Sequence, residues 1–321
     1  MASPSHPAPA ALPWRHALLA LAVVAVWGSN FVIIKMALRE LPPLTLATLR
    51  FAFAFAPAAL FIKRPAAPWR DLAAYGMLIG VGQFGLIFIA MNGHISPGLA
   101  SLVVQTQVAF TIGFSMRLAG ERIAPFQVFA LILAAIGIGI IALHAGAGNT
   151  PLGLAMVLGA ALCWAGGNMV AKRSPGANML GYMVWSSLFS IPPLVILSLV
   201  FEGWPAIAAT VRHADAWAWA AVLWQSGANT LFGYAAWAWL LARHPAATIT
   251  PVSLLVPVFG IAASAWLLAE PLPAWKLGAA ALVLGGLALN LLWPRLRRPS
   301  PPRSPRAAPG PPGRPDRSPR D

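Results

Sequence analysis

Apolar residues dominate the chain in ten long blocks, each about the length of a membrane-spanning helix. The blocks lie near residues 16–37, 43–62, 71–91, 97–118, 124–143, 152–172, 179–201, 217–241, 246–268 and 273–293. A run of about 20 apolar residues crosses the hydrocarbon core of a bilayer, and a helix satisfies its own backbone polar groups there. Proline- and glycine-containing turns separate the blocks, for example at Ser96-Pro97-Gly98. The pattern predicts an all-α membrane protein with ten transmembrane helices.

The composition excludes a soluble fold. Of the 321 residues, 59% are hydrophobic and only 9% are charged, whereas about a quarter of the residues of a typical globular domain are charged. So few charged side chains cannot cover a water-exposed surface, and lipid must replace water over much of the exterior. The single cysteine, Cys163, lies inside an apolar block. It therefore excludes an internal disulfide and a cysteine-based zinc site.

The basic residues predict the orientation of the chain in the membrane, because short loops rich in Lys and Arg stay in the cytoplasm. With residue 1 inside, nine basic residues fall in the inner segments and four in the outer ones, before the C-terminal tail is counted. Both termini are therefore predicted to be cytoplasmic. Arg50 belongs to neither set, because it lies about two turns into the second block.

The composition divides the chain into four segments. Residues 1–15 form a cytoplasmic N-terminal segment, and residues 294–321 form a tail in which Pro and Arg replace aliphatic residues. Such a tail cannot bury apolar surface, so we expect it to be disordered and to attract anionic lipid of the inner leaflet. Nucleic acid is not an expected partner, because no folded basic module accompanies the tail. The two apolar segments between them are residues 16–143 and 152–293.

These two segments carry an internal repeat. Residues 27–35 resemble residues 164–172, and the stretch 119–121 resembles 268–270. Each half contains five predicted helices, and since five is odd, equivalent helices would cross the membrane in opposite directions. Inverted repeats of this kind are typical of secondary transporters, in which a site near the midplane is exposed to each side in turn. The sequence therefore predicts two inverted five-helix repeats.

Several motifs in the two halves carry a resemblance to a known family. They are Trp-Gly-Ser-Asn-Phe-Val from Trp27, Leu49-Arg50-Phe51, the segment from Gly98 to Gln107, Cys163-Trp-Ala-Gly-Gly-Asn168 and Val252-Ser-Leu-Leu-Val-Pro257. Together they resemble the ten-helix EamA family of the drug/metabolite transporter superfamily over about residues 16–293. The resemblance implies a multi-pass permease of the bacterial inner membrane, with a cavity between the halves and without a cofactor. The Gln105-Thr-Gln107 stretch resembles the branch that exports O-acetylserine and cysteine-pathway metabolites.

Polar and aromatic side chains near the predicted midplane are the candidate substrate site. A polar group at bilayer depth is costly and is a functional candidate, although hydrogen bonding between helices is the alternative explanation. Gln105 is preferred to Gln107 because it shares a face of its helix with Ser101. The predicted substrate-binding residues are Trp27, Asn30, Gln83, Gln105, Trp164, Asn168 and Asn229.

The acidic residues narrow the class of substrate by where they are absent. Outside the tail they all fall at block ends or in loops, namely Glu40, Asp71, Glu121, Glu202, Asp215 and Glu270. Exporters of cationic drugs usually need a carboxylate within the membrane, so a small neutral or zwitterionic amino-acid metabolite is favoured. The alternative is a permease of another substrate class, such as a drug exporter.

An enzyme is not expected. The chain has no His-Glu-x-x-His motif and no arrangement of acids or Ser/His/Asp typical of a hydrolase. No catalytic residue and no metal ligand is therefore predicted. The sequence leaves the exact substrate, the coupling ion and the oligomeric state open.

Overall fold

A computed structural model of the chain describes residues 12–119, 124–144, 146, 148–244 and 246–296. Within these ranges every regular element is helical, and β-type pairing is limited to an isolated bridge between Gly146 and Asn149. The prediction of an all-α protein is confirmed. Glu121 and nearly all of the Pro/Arg tail lie outside the described residues.

Eleven helical segments follow one another along the described chain. They are α1 (Trp14–Ala37), α2 (Pro43–Phe55), α3 (Trp69–Met91), α4 (97–119), α5 (Pro125–Leu143), α6 (Pro151–Ala171), α7 (Met179–Phe201), α8 (Trp204–His213), α9 (216–243), α10 (246–268) and α11 (Ala274–Leu296). The ten long ones match the predicted blocks to within three residues at every end but one. The exception is the end of α2, which stops at Phe55 and is followed by a short 3₁₀ turn, Ala58–Leu60.

In the described part of the chain, nine helices are long and apolar enough to cross a membrane. Helix α2 is counted together with the 3₁₀ turn that follows it, as Pro43–Leu60. The prediction of membrane spans is confirmed for those nine. Helix α9 is not among them, because its middle carries Gln225, Ser226, Asn229 and Thr230, which lower its mean hydropathy. Its role as a tenth span stays a prediction.

Helix α8 lies in the connection between the seventh and eighth predicted blocks, where the sequence pattern predicts no helix. Gly203 lies between α7 and α8 with φ 79°, a left-handed conformation that favours glycine. Pro205 follows in the first turn of α8, where its missing N–H costs nothing. None of the residues of α8 is buried, so it lies on the surface of the bundle.

Four of the long helices depart from α-helical geometry in their middle. Helix α3 contains a π-helical segment at Met77–Gly85, and α9 contains one at Trp224–Phe232. Helix α4 contains a 3₁₀ turn at Val104–Thr106, and α10 contains one at Thr250–Leu254. π-helical turns are rare and frequently occur at functional sites. The two π-helical segments contain Gln83, Gln225, Asn229 and Thr230, which are described below.

The helices pack in a recurring set of pairs. Helix α1 packs against α10 and α9, and α6 packs against α4 and α3. Helix α2 packs against α7, and α5 has its most extensive contact with α11. The largest hydrophobic cluster lies around Leu46, Phe88 and Leu102, and a smaller one lies around Tyr75 and Tyr182. These pairs hold the middles of α3, α4 and α9 inside the bundle.

Candidate functional site

Two of the predicted residues meet where α1 contacts α9. The indole Nε1 of Trp27 donates a hydrogen bond to the backbone oxygen of Asn229 at 3.0 Å. The Trp27 ring also contacts those of Tyr234 and Trp237, with centroids 5.7 and 5.3 Å away. Asn30, one turn further along α1, is buried, and its Oδ1 has no hydrogen-bond partner among the described residues. The contact between α1 and α9 therefore places three aromatic rings near a buried amide oxygen that has no described donor.

A second polar contact joins α4 to α6. The amide Nδ2 of Asn168 donates to Oε1 of Gln107 at 3.1 Å. Gln105 instead lines a small cavity of about 20 Å³ between α4, α5 and α11, beside Asn290. The 3₁₀ turn at Val104–Thr106 separates the two glutamines, and its tighter winding differs from the α-helix assumed from the sequence. Of the two glutamines, it is Gln107 that contacts a predicted site residue.

The remaining predicted residues, Gln83 and Trp164, lie on α3 and α6, which pack against each other. Gln83 is buried in the π-helical segment of α3. Trp164 on α6 is partly exposed and packs against both hydrophobic clusters, as does Phe84 on α3. The structure thus brings Trp27 to Asn229, and brings Asn168 to Gln107 rather than to Gln105.

Arg50 on α2 is the interior residue to which the sequence assigned no role. Its side chain is fully buried. Nη1 donates to Oε1 of Gln225 at 2.9 Å, and Nη2 donates to Oγ1 of Thr230 at 3.2 Å. The guanidinium carbon lies 3.6 Å from the centroid of the Phe84 ring, a cation–π contact. The signal in the sequence is a lone arginine within an apolar block.

The acids of the described chain lie away from this arginine. Glu202 accepts hydrogen bonds from the backbone N–H groups of Leu44 and Thr45 at the start of α2. Glu270 accepts from Gly98 N at the start of α4 at 3.2 Å. No described carboxylate forms a salt bridge with Arg50. The interior of the bundle is therefore positively charged at this point.

A much larger cavity, of about 930 Å³, lies elsewhere. It is lined by the connection between α1 and α2 (residues 38–42), the start of α2, the second half of α3, the end of α7 and Ala206 on α8. Its wall is mostly apolar, and none of the seven predicted residues contributes to it. Because this cavity holds none of the predicted residues, we take as the candidate site the polar centre, defined here as the contacts of Trp27 and Arg50 with α9 and of Asn168 with α4.

A model of the EamA-like transporter family matches residues 14–143 and again residues 151–292. The chain belongs to the EamA-like transporter family. This confirms the resemblance drawn from the sequence motifs. The protein is accordingly a multi-pass membrane protein of a transporter family.

Two relatives share much of the sequence, and both are named "Probable amino-acid metabolite efflux pump". The one from Salmonella typhimurium is 38% identical over 291 residues, which cover 88% of this chain and 97% of the relative. The one from Escherichia coli K12 is 36% identical over 290 residues, with the same coverage. A solved crystal structure covers 89% of this chain and 100% of its own, at 20% identity and a TM-score of 0.59. That likeness concerns the fold alone.

Proposed function

We propose that the protein exports small amino-acid metabolites of the O-acetylserine and cysteine type across the bacterial inner membrane by alternating access. The observation that carries the proposal is the similarity, over nearly their whole length, to two proteins named as probable amino-acid metabolite efflux pumps. The polar centre supports it, because amides and an arginine can bind a small zwitterion. The substrate and the membrane lipids are the expected partners.

The proposed architecture has ten membrane helices in two inverted repeats, residues 16–143 and 152–293. Two separate family matches support this division. The irregular segments also recur in order, with π turns in the third and eighth long helices and 3₁₀ turns in the fourth and ninth. In this division α1 is equivalent to α6, α3 to α9 and α4 to α10. The contact of α1 with α10 then has its counterpart in the contact of α6 with α4, and the contact of α1 with α9 in that of α6 with α3. Such repeats permit the two halves to exchange conformations.

Both termini are proposed to be cytoplasmic, which the distribution of basic residues between short loops supports. A reporter enzyme that is active only outside the membrane should be silent when it is fused after Trp293. Reporter activity in a properly inserted fusion would reverse the orientation.

The substrate is proposed to bind at Trp27, Asn30, Gln83, Gln105, Trp164, Asn168 and Asn229. The contacts of Trp27 with Asn229 support a site at α1 and α9. The buried, unpartnered oxygen of Asn30 supports it further, because a buried acceptor without a donor is costly unless a ligand or water supplies one. The alternative is a permease of another substrate class, for drugs or for other amino acids. For cationic drugs it is disfavoured by the buried charge of Arg50.

The experiment measures export from cells. Expression of the protein should lower intracellular O-acetylserine or cysteine and raise its concentration in the medium. Asn30→Ala and Asn168→Ala should reduce export while membrane abundance is retained, and Asn92→Ala, at an exposed position, serves as the matched control. Unchanged metabolite export together with resistance to cationic drugs would favour the alternative.

A further inference from the structure

We infer that Arg50 and Gln225 bind the carboxylate group of the exported solute, so that the transporter selects anionic or zwitterionic solutes that carry a carboxylate. The inference rests on the proposed function, because it assigns a substrate group to the polar centre of the same bundle. Three observations support it. The guanidinium is buried, no described carboxylate pairs with it, and two buried N–H donors, on Arg50 and Gln225, have no described acceptor.

The charge of Arg50 is unbalanced inside the protein. A guanidinium stays protonated in proteins, and a buried charge is normally paired because water no longer solvates it. Here the described contacts are an amide oxygen, a hydroxyl oxygen and an aromatic face, all of them neutral. An intramembrane ionisable residue of this kind marks a substrate or ion pathway. A bound anion would supply the missing charge.

The unused donors belong to two side chains that are hydrogen-bonded to each other. Nε of Arg50 and Nε2 of Gln225 are buried, and neither has a hydrogen-bond partner among the described residues. Because Oε1 of Gln225 accepts from Nη1 of Arg50, both free donors belong to directly bonded side chains. Donors without acceptors fit a group that only accepts, and an ionised carboxylate has two such oxygens.

Phe84 restricts the direction from which a carboxylate can approach. Its ring covers the face of the guanidinium at 3.6 Å, whereas hydrogen bonds to arginine lie in the guanidinium plane. Nε is the one guanidinium nitrogen without a hydrogen-bond partner among the described residues. Phe84 therefore leaves the plane of the guanidinium, and not its covered face, for a carboxylate.

The π-helical segment of α9 connects Arg50 to the predicted site. Gln225 and Thr230 are five residues apart and both bond to the guanidinium, and Oγ1 of Thr230 donates to the backbone oxygen of Gln225 at 2.9 Å. Asn229, in the same segment, accepts from Trp27. A solute whose carboxylate binds Arg50 can therefore place its other groups against α1.

The test compares O-acetyl-L-serine with O-acetyl-L-serinamide, which lacks the charged carboxylate. Binding to the purified protein in detergent is measured by calorimetry and by the ligand-induced rise in unfolding temperature. The wild-type protein should bind the acid more tightly than the amide by about 30-fold or more, since a buried charged partner is lost. Equal affinity for the acid and the amide, or no binding of the acid, would overturn the inference.

Gln225→Glu is the decisive variant, because it has the same shape and places a carboxylate beside Arg50. The protein's own carboxylate should then occupy the site, so the unfolding temperature is kept or raised while affinity for the acid falls by about 30-fold or more. Arg50→Lys should retain part of the preference for the acid, and Arg212→Gln, at an exposed arginine, should leave it unchanged. If Arg50 only braces the helices, Gln225→Glu will bind the acid normally.

Export measured in cells distinguishes the two proposals. If cells that express the wild-type protein export the metabolites but the purified protein does not distinguish the acid from the amide, only the proposal of a carboxylate site is wrong. If no metabolite is exported, the proposed function itself is wrong.

Discussion

Gln105 and Gln107 of α4 have different neighbours although one residue separates them. Gln107 bonds to Asn168, whereas Gln105 faces α5 and α11. The sequence analysis assumed an ideal α-helix, which places Gln105 on the same face as Ser101. The 3₁₀ turn at Val104–Thr106 changes the directions of the two glutamines, and it depends on packing between helices. Whether either glutamine contacts the substrate stays a prediction.

The first prediction concerns Gln107→Leu. The substitution removes the acceptor that orients the Asn168 amide, at a cost of about 1 kcal/mol for a neutral hydrogen bond. If Asn168 binds the substrate, export should fall more in this variant than in Gln105→Leu, with both at wild-type abundance in the membrane. If export falls more in Gln105→Leu, Gln105 and not Gln107 is the glutamine on which transport depends.

Arg50 shows which part of a site the sequence can reveal. A charged residue in an apolar block is visible without a structure. Its partners Gln225 and Thr230 are 175 and 180 residues away along the chain, so only the packing of α2 against α9 brings them together. The sequence could therefore single out the arginine but could not find its surroundings.

Among the helices, length and turn chemistry account for what was predictable. Pro at the first turn marks the starts of α2, α5 and α6, and the apolar blocks set the lengths. Helix α8 was missed because it has only 10 residues and none of them is buried. The π and 3₁₀ segments were missed because no local propensity specifies them.

The second prediction tests the contact between α5 and α11. A Cβ at Gly286 would lie 2.5 Å from the backbone oxygen of Ala130, whereas nothing lies within 4 Å of a Cβ at Gly285. Gly286→Ala should therefore lower the free energy of unfolding by about 1–3 kcal/mol through overpacking. Thermal unfolding in detergent measures the difference.

The matched control is the neighbouring substitution. Gly285→Ala should be neutral, or stabilising by up to about 1 kcal/mol through helix propensity. Equal effects of the two substitutions would contradict the close approach of the helices at Gly286. The sequence alone could not distinguish these adjacent glycines, since only the partner helix separates their environments.

At the scale of the whole molecule, the two halves of α4 differ in how deeply the bundle buries them. All residues 97–106 of α4 are buried, and none of the residues 107–114 is. The buried end is also where Glu202 binds the start of α2 and Glu270 binds Gly98 of α4. In the proposed orientation this is the outer end, which the cavity of about 930 Å³ also borders.

Glu270 connects three helices at this end of the bundle. It lies in the connection between α10 and α11 and hydrogen bonds to Ser264 and Lys276 as well as to Gly98. Burial raises the pKa of its carboxyl group, but the hydrogen bonds from Lys276 and Ser264 outweigh burial and hold the pKa below its ordinary value. The folded state therefore favours the ionised carboxylate.

The third prediction is the pH dependence that follows from this lowered pKa. A carboxyl with a lower pKa in the folded state stabilises the fold above its unfolded pKa, about 4.3, and this contribution is lost as the pH falls through the folded value. In Glu270→Gln the unfolding temperature should be lower at pH 7, because Lys276 is buried and loses its ionised partner. The difference from the wild type should shrink as the pH falls below about 4.3, because protonation removes the same charge from the wild type. A difference that stays constant between pH 7 and pH 3 would mean that ionised Glu270 does not hold α4, α10 and α11 together.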